Sequence, residues 1–183
     1  MEKLKEFFYS LKVRLFCCFL LAIILPGIVF SITIPKFFIQ SKLADLAAES
    51  LSHAQALADQ VAGTSYLSDV NSNQQIDGEV TALADFTDSR LILVDSNFRV
   101  VKDTNNVAVG KIMVSTEVIK SIQGEAITNY KENSNYIEIA VPIKMTNEEE
   151  PHGVLIYCVS TDDIRQSKLT IISMCGFILI VLY

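Results

Sequence analysis

Twenty consecutive residues without a charge, 15–34 (LFCCFLLAIILPGIVFSITI), constrain this chain more than any other feature. At 1.5 Å of rise per residue a helix of that length covers ~30 Å, the hydrocarbon thickness of a bilayer. Lys3, Lys5, Lys12 and Arg14 precede it, against Glu2 and Glu6. Positive charge beside a span marks the cytoplasmic side. Residues 1–14 are therefore expected in the cytoplasm and 15–34 as a transmembrane helix. A cleaved signal peptide would have a shorter apolar core, ~7–15 residues, ending in small residues. Here the run ends Ile34-Pro35-Lys36-Phe37-Phe38, so an uncleaved anchor is expected. Pro26-Gly27 should bend the helix, which membrane spans tolerate.

A second charge-free run, 169–183 (LTIISMCGFILIVLY), reaches the last residue. At about fifteen residues it is short for a crossing, and it reads as the start of a second span cut at Tyr183. A short tail anchor is the alternative. Between the two runs, residues 36–168 carry 11 Lys/Arg against 19 Asp/Glu, a net of −8, whereas residues 1–14 carry a net of +2. That asymmetry agrees with a cytoplasmic start and an extracytoplasmic middle. The whole chain has a net charge of −6 and a pI near 4.9, the wrong sign for nucleic-acid binding. Four cysteines exclude a disulfide-built scaffold. Cys17, Cys18 and Cys175 lie in the apolar runs and Cys158 is expected to pack in a core, where cysteine acts as a small apolar residue.

The middle reads as one folded unit. Residues 36–63 predict a long helix leaving the first span, with apolar positions at Leu43, Leu46, Ala47, Leu51, Ala54, Leu57, Ala58 and Val61, mostly three or four apart. Gly63 is its natural stop. A second helix is expected over 74–86. From Arg90 the period changes, and the continuous apolar run Leu91-Ile92-Leu93-Val94 reads as a strand buried on both faces. Asp95-Ser96-Asn97 supplies turn chemistry, and 98–102 returns as the second strand. Ser115-Thr116-Glu117 opens a short helix that Gly124 closes. Strands are expected at 126–130, 136–143 and 153–160, after which Asp162-Asp163 opens the helix entering the second span. Five antiparallel strands with helices largely on one face make an α+β arrangement.

No catalytic constellation is present. The two histidines, His53 and His152, stand apart, and there is no Ser/His/Asp or Cys/His group and no glycine-rich phosphate loop. Glu148-Glu149-Glu150 with His152 is the strongest local charge. Clustered carboxylates bind divalent cations and bridge them to lipid headgroups, while the plainer reading is a solvated turn.

The hairpin 90–103 (RLILVDSNFRVVKD), the strand 136–143 (YIEIAVPI) and the strand 153–160 (GVLIYCVS) before a membrane run resemble PAS-like extracytoplasmic sensor domains, also called PDC or Cache domains. The ending is similar to that of bacterial membrane sensor histidine kinases, and the resemblance covers 36–168 with the two-span frame. It implies a five-stranded sheet with a long N-terminal helix, located outside the bacterial plasma membrane. The role it implies is signal input to a two-component kinase, with ATP and Mg needed only in a kinase domain beyond these residues. Chemoreceptors and cyclic-dinucleotide enzymes share such input modules, and a bitopic envelope protein without output is a further alternative. The implied partners are membrane lipid, an unknown extracytoplasmic ligand, a cytoplasmic response regulator and a second copy of the chain. The implied pocket lies under the small helix and the loop after the second strand. Arg99, Lys102 and Lys111 there would hold a carboxylate or phosphate, with Tyr130, Tyr136 and Glu138 from later strands. The implied homodimer would pair the long helices through Leu43, Ala47, Ala54, Leu57 and Val61.

Overall fold

The computed structural model describes residues 11–131, 135–145, 150–167, 170, 171, 173 and 174. They fall into two compact units, Leu43–Asp163 and the remainder, Met1–Lys42 with Ile164–Tyr183. Helix α1 runs Leu11–Ala62 with Pro26 and Pro35 inside it. Among the described residues it is the one helix long and apolar enough to cross a membrane. Phe16, Phe19, Ile23 and Phe30 are exposed along that part, as side chains meant for lipid rather than for a protein core would be. Residues 162–167 are helical as expected. Most of the second expected span, 169–183, lies outside the described residues.

Within Leu43–Asp163 the elements follow in order. Helix α1 stops at Ala62, one residue before Gly63, and a 3-10 turn spans Val70–Ser72. Helix α2 is Gln74–Phe86, capped by the Asn73 side chain, which accepts from Ile76 N at 3.3 Å. Strand β1 is Ser89–Asp95 and β2 is Val100–Asp103. Helix α3 is Thr116–Ile122, capped by Ser115 Oγ accepting from Val118 N at 3.2 Å. Strands β3 (Ile127–Lys131), β4 (Tyr136–Ile143) and β5 (Gly153–Ser160) complete one antiparallel sheet in the order β2-β1-β5-β4-β3. The last strand therefore lies in the middle, between β1 and β4. Its burial on both faces explains the unbroken apolar run of residues 154–157.

The pleat sorts side chains onto two faces. Leu91 and Leu93 of β1, Ile137, Ile139, Val141 and Ile143 of β4, and Leu155, Tyr157 and Val159 of β5 meet Ala54, Leu57, Ala58 and Val61 of α1 and Ile76, Val80 and Ala84 of α2. On the other face Ile92, Val94, Ala140, Val154 and Ile156 meet Val118 and Ile122 of α3. Helices α1 and α2 thus share one face, in keeping with the expectation of helices largely on one face, and α3 covers the other. The apolar side of α3 (Val118, Ile122) can only be buried on the face that α1 and α2 leave free.

The stripe on α1 lies against the sheet. Ala54, Leu57 and Val61, expected to meet a second copy, are 0%, 4% and 0% exposed inside the chain's own core. Leu43 and Ala47 pack against the same core and are partly covered. Fully burying one Leu or Val contributes ~1.5–3 kcal/mol, so the sheet competes strongly for this stripe.

Candidate functional site

The sheet face under α3 carries a charged network that the apolar strands conceal in sequence. Arg90 stands on β1 opposite Cys158 of β5, Cys158 stands opposite Glu138 of β4, and Glu138 opposite Asn129 of β3. Directly opposed residues share a face, so four strands bring one polar row across the sheet. At one end Arg90 donates Nε to Asp103 Oδ1 at 2.9 Å and Nη2 to Asp103 Oδ2 at 2.7 Å. Asp103 is fully buried and also accepts from the backbone N–H groups of Asn105, Val107 and Ala108. One carboxylate thus ties β1 to β2 and organises the loop that follows. The bidentate Arg90 pair and those N–H donors hold its pKa well below the usual carboxylate range.

At the other end Glu117 of α3 accepts from Lys131 Nζ at 2.6 Å and from Asn129 Nδ2 at 2.8 Å. Lys131 also approaches Glu138 Oε2, at 3.6 Å. Two carboxylates therefore share one ammonium, and they share it unequally. The Lys131 and Asn129 bonds lower Glu117 to about 2. Glu138 is 7% exposed, and its carboxyl is raised by burial first and by the Glu117 charge second. Between the two ends, burial pushes the Cys158 thiol up to about 12, which makes it an inert neutral group. Tyr136, beside Lys131 on β3, is raised for the same reason. A cavity of about 390 Å³ opens beside this network, with Arg90, Asn105, Tyr136, Cys158, Asp88 and Asp162 among its walls. It offers hydrogen-bonding groups of both kinds and a net acidic rim.

The fold around this face has been seen before. No protein-family model matches the chain, and no curated protein matches it by sequence. Solved structures do. The sensor domain of the V. cholerae histidine kinase DctB matches with a TM-score of 0.60 at 14% identity, over 80% of this chain and 59% of that one. The sensory domain of the Campylobacter jejuni chemoreceptor Tlp3, with isoleucine bound, matches with a TM-score of 0.55 at 14% identity, over 74% and 60%. The E. coli DcuS sensor domain matches with a TM-score of 0.53 at 15% identity, over 69% and 96%. This is a sensor-domain fold. Its long N-terminal helix and five-stranded antiparallel sheet are PDC/Cache-like, and the chain spans about three-fifths of the DctB and Tlp3 structures.

The residues singled out from sequence are scattered over this sensor fold. Tyr136 and Glu138 belong to the network. Tyr130 does not, because it opposes Ile137 and so lies on the α1–α2 face. Lys102 opposes Leu93, on that same face, and donates to Asp77 Oδ1 at 2.5 Å, where Tyr66 also donates at 2.6 Å. It locks β2 to α2. Arg99 Nη1 donates to Gly110 O and Lys111 Nζ to Val107 O, so both cations fasten the exposed loop after β2. Glu148 and Glu149 lie outside the described residues. Glu150 is exposed, and His152 lines a separate cavity of about 490 Å³ with Asp95, Asn97 and Thr64. Among the described residues no three His, Cys, Asp or Glu side chains gather to hold a metal. Sequence reasoning missed Arg90, Asp103, Glu117, Asn129 and Lys131. A signal was available for Asn129 and Lys131 alone, an amide and a charge placed two apart on β3, in step with the pleat.

Proposed function

We propose that the chain is the sensory input half of a bacterial two-component sensor histidine kinase. Residues 1–14 lie in the cytoplasm, 15–34 cross the plasma membrane, and the folded unit Leu43–Asp163 reads a signal outside. A second span from about residue 169 returns that signal to an ATP- and magnesium-using kinase domain and its response regulator, in a homodimer. One observation carries the reading. A single helix, Leu11–Ala62, holds both an apolar run of membrane length and the stripe buried on the sheet of a sensor-domain fold. The ligand is a small polar molecule held beside Arg90 and Tyr136, where the 390 Å³ cavity meets the charged network. The match to a chemoreceptor domain with isoleucine bound supports a small-molecule ligand, and it also supports a second reading, input to a chemoreceptor.

Topology and output are tested separately. Ser96→Cys, in the exposed turn after β1, is expected to react with a membrane-impermeant maleimide on intact cells, and reaction only after lysis would overturn the orientation. Membrane vesicles holding the product of the complete gene, given radiolabelled ATP, are expected to form acid-labile phosphohistidine. Its absence would remove the kinase output and favour the chemoreceptor class.

A further inference from the structure

Glu138 is a carboxylate that the fold buries without giving it a full partner. It is 7% exposed, yet its cationic contact, Lys131, lies at 3.6 Å and is held more closely by Glu117, at 2.6 Å. Both carboxylates touch one nitrogen, so their contacting oxygens lie within ~6 Å of each other, close enough for either charge to disturb the other. The groups facing Glu138 come from every element around it. Glu117 projects from α3, Asn129 and Lys131 from β3, Tyr136 from β4 itself, and Cys158 from β5. Beyond Cys158, Arg90 is neutralised by its bidentate bond to Asp103. Among the described residues nothing else in the row supplies a cation. With both glutamates ionised the cluster bears two negative charges and one positive, and the surplus repulsion falls between α3 and the sheet.

We propose that Glu138 is a proton-binding site through which the domain reads external acidity, its protonation tightening α3 on the sheet. A neutral Glu138 removes the repulsion and leaves Lys131 wholly to Glu117, strengthening the bond that joins α3 to β3. An ionised Glu138 draws on the same ammonium and loosens it. The groups that bracket this titration are out of its range: Glu117 is held near 2 and Cys158 near 12. His53 sits on the exposed side of α1, and His152 precedes β5 at the end away from Cys158. A readout local to α3 therefore separates Glu138 from both imidazoles. The role as a signal rests on the sensor reading above; the proton site itself does not.

The experiment is hydrogen–deuterium exchange of the full chain in lipid nanodiscs from about pH 4.5 to about pH 8, each amide corrected for its intrinsic rate, followed over residues 116–124. Protection there is expected to rise as pH falls, by about tenfold for each pH unit by which docking of α3 shifts the Glu138 titration. Glu138→Gln should hold the acid-level protection throughout. Lys131→Gln, which leaves the two carboxylates facing each other, should move the midpoint to higher pH. Protection that is flat in the wild type, or equally pH-dependent in Glu138→Gln, or a midpoint indifferent to Lys131, would overturn the proposal. Each of these would leave the sensor reading standing, because that reading fails only by the labelling and phosphorylation outcomes.

Discussion

At Gly153 the sheet leaves no room for a side chain. The residue begins β5, stands opposite Asp95 on one side and Ile143 on the other, and an added Cβ would fall onto the Val94 carbonyl oxygen. That atom belongs to a central strand and cannot swing aside. Gly153→Ala is accordingly expected to destabilise the chain by ~1–3 kcal/mol, read as a lower urea midpoint in detergent, and an unchanged midpoint would contradict the close approach. Nearby, the turn Asp95-Ser96-Asn97 behaves as its residues promise, with Asp95 Oδ1 accepting from the backbone N–H of Asn97 and of Arg99. The left-handed position nevertheless falls on Phe98, at φ +62°. A bulky residue tolerates that conformation only where surrounding structure holds it, and Phe98 packs against the cluster beneath α3. Local turn preference named the right segment and missed the residue, because a tertiary contact outweighed a strain of order 1–3 kcal/mol.

Among the elements, α1 shows how one pattern serves two readings. An apolar stripe at three- and four-residue spacing fits a partner helix and a sheet equally well. Which one it meets depends on strands that follow some thirty residues later, so spacing alone leaves the choice open. The sheet takes Ala54, Leu57 and Val61. Cysteines placed there are expected to form no disulfide-linked dimer and to react slowly with maleimide, whereas Ala48→Cys, on the exposed side, reacts at once. A dimer trapped through Val61 would mean that the helix leaves the sheet. Helix α3 was legible as an element, from Ser115 at its start to Gly124, at φ +96°, just beyond its end. Its seven residues gave no hint of the face it would cover, and that face is where the charged network forms.

Across the whole molecule the shifted carboxylates act in opposite directions. Asp77, Asp103 and Glu117 are depressed by their Lys102, Arg90 and Lys131 bonds. Their stabilisation is present above the unfolded carboxylate range, near ~4, and is lost as pH falls through their folded values. Glu138 is raised, so the folded state binds its proton more tightly than the unfolded chain does. Its stabilisation is complete below ~4 and disappears as pH rises through the folded value. Stability should therefore peak in mildly acid solution and decline toward neutrality, and Glu138→Gln should flatten that decline. Urea midpoints measured against pH check this; a wild-type maximum at or above neutrality, unmoved by the substitution, would contradict it.

Hydropathy and period were enough to read the membrane-length run at 15–34, the bounds of α2, β4 and β5, and an α+β domain. Those features depend on interactions within a few residues or on the total of apolar surface, and each stretch of chain carries its own record of them. Strand order, the division of helices between two faces and the meeting of Arg90, Asp103, Glu117, Lys131 and Glu138 are of another kind. They come from pairing β1 with β5 and β5 with β4, contacts made over long separations that local pattern does not encode. Glu138 reads in sequence as one polar residue in an apolar strand. It becomes a titratable site only when folding removes its water and sets Glu117 and Lys131 beside it, since burial and neighbouring charge are properties of the assembled sheet.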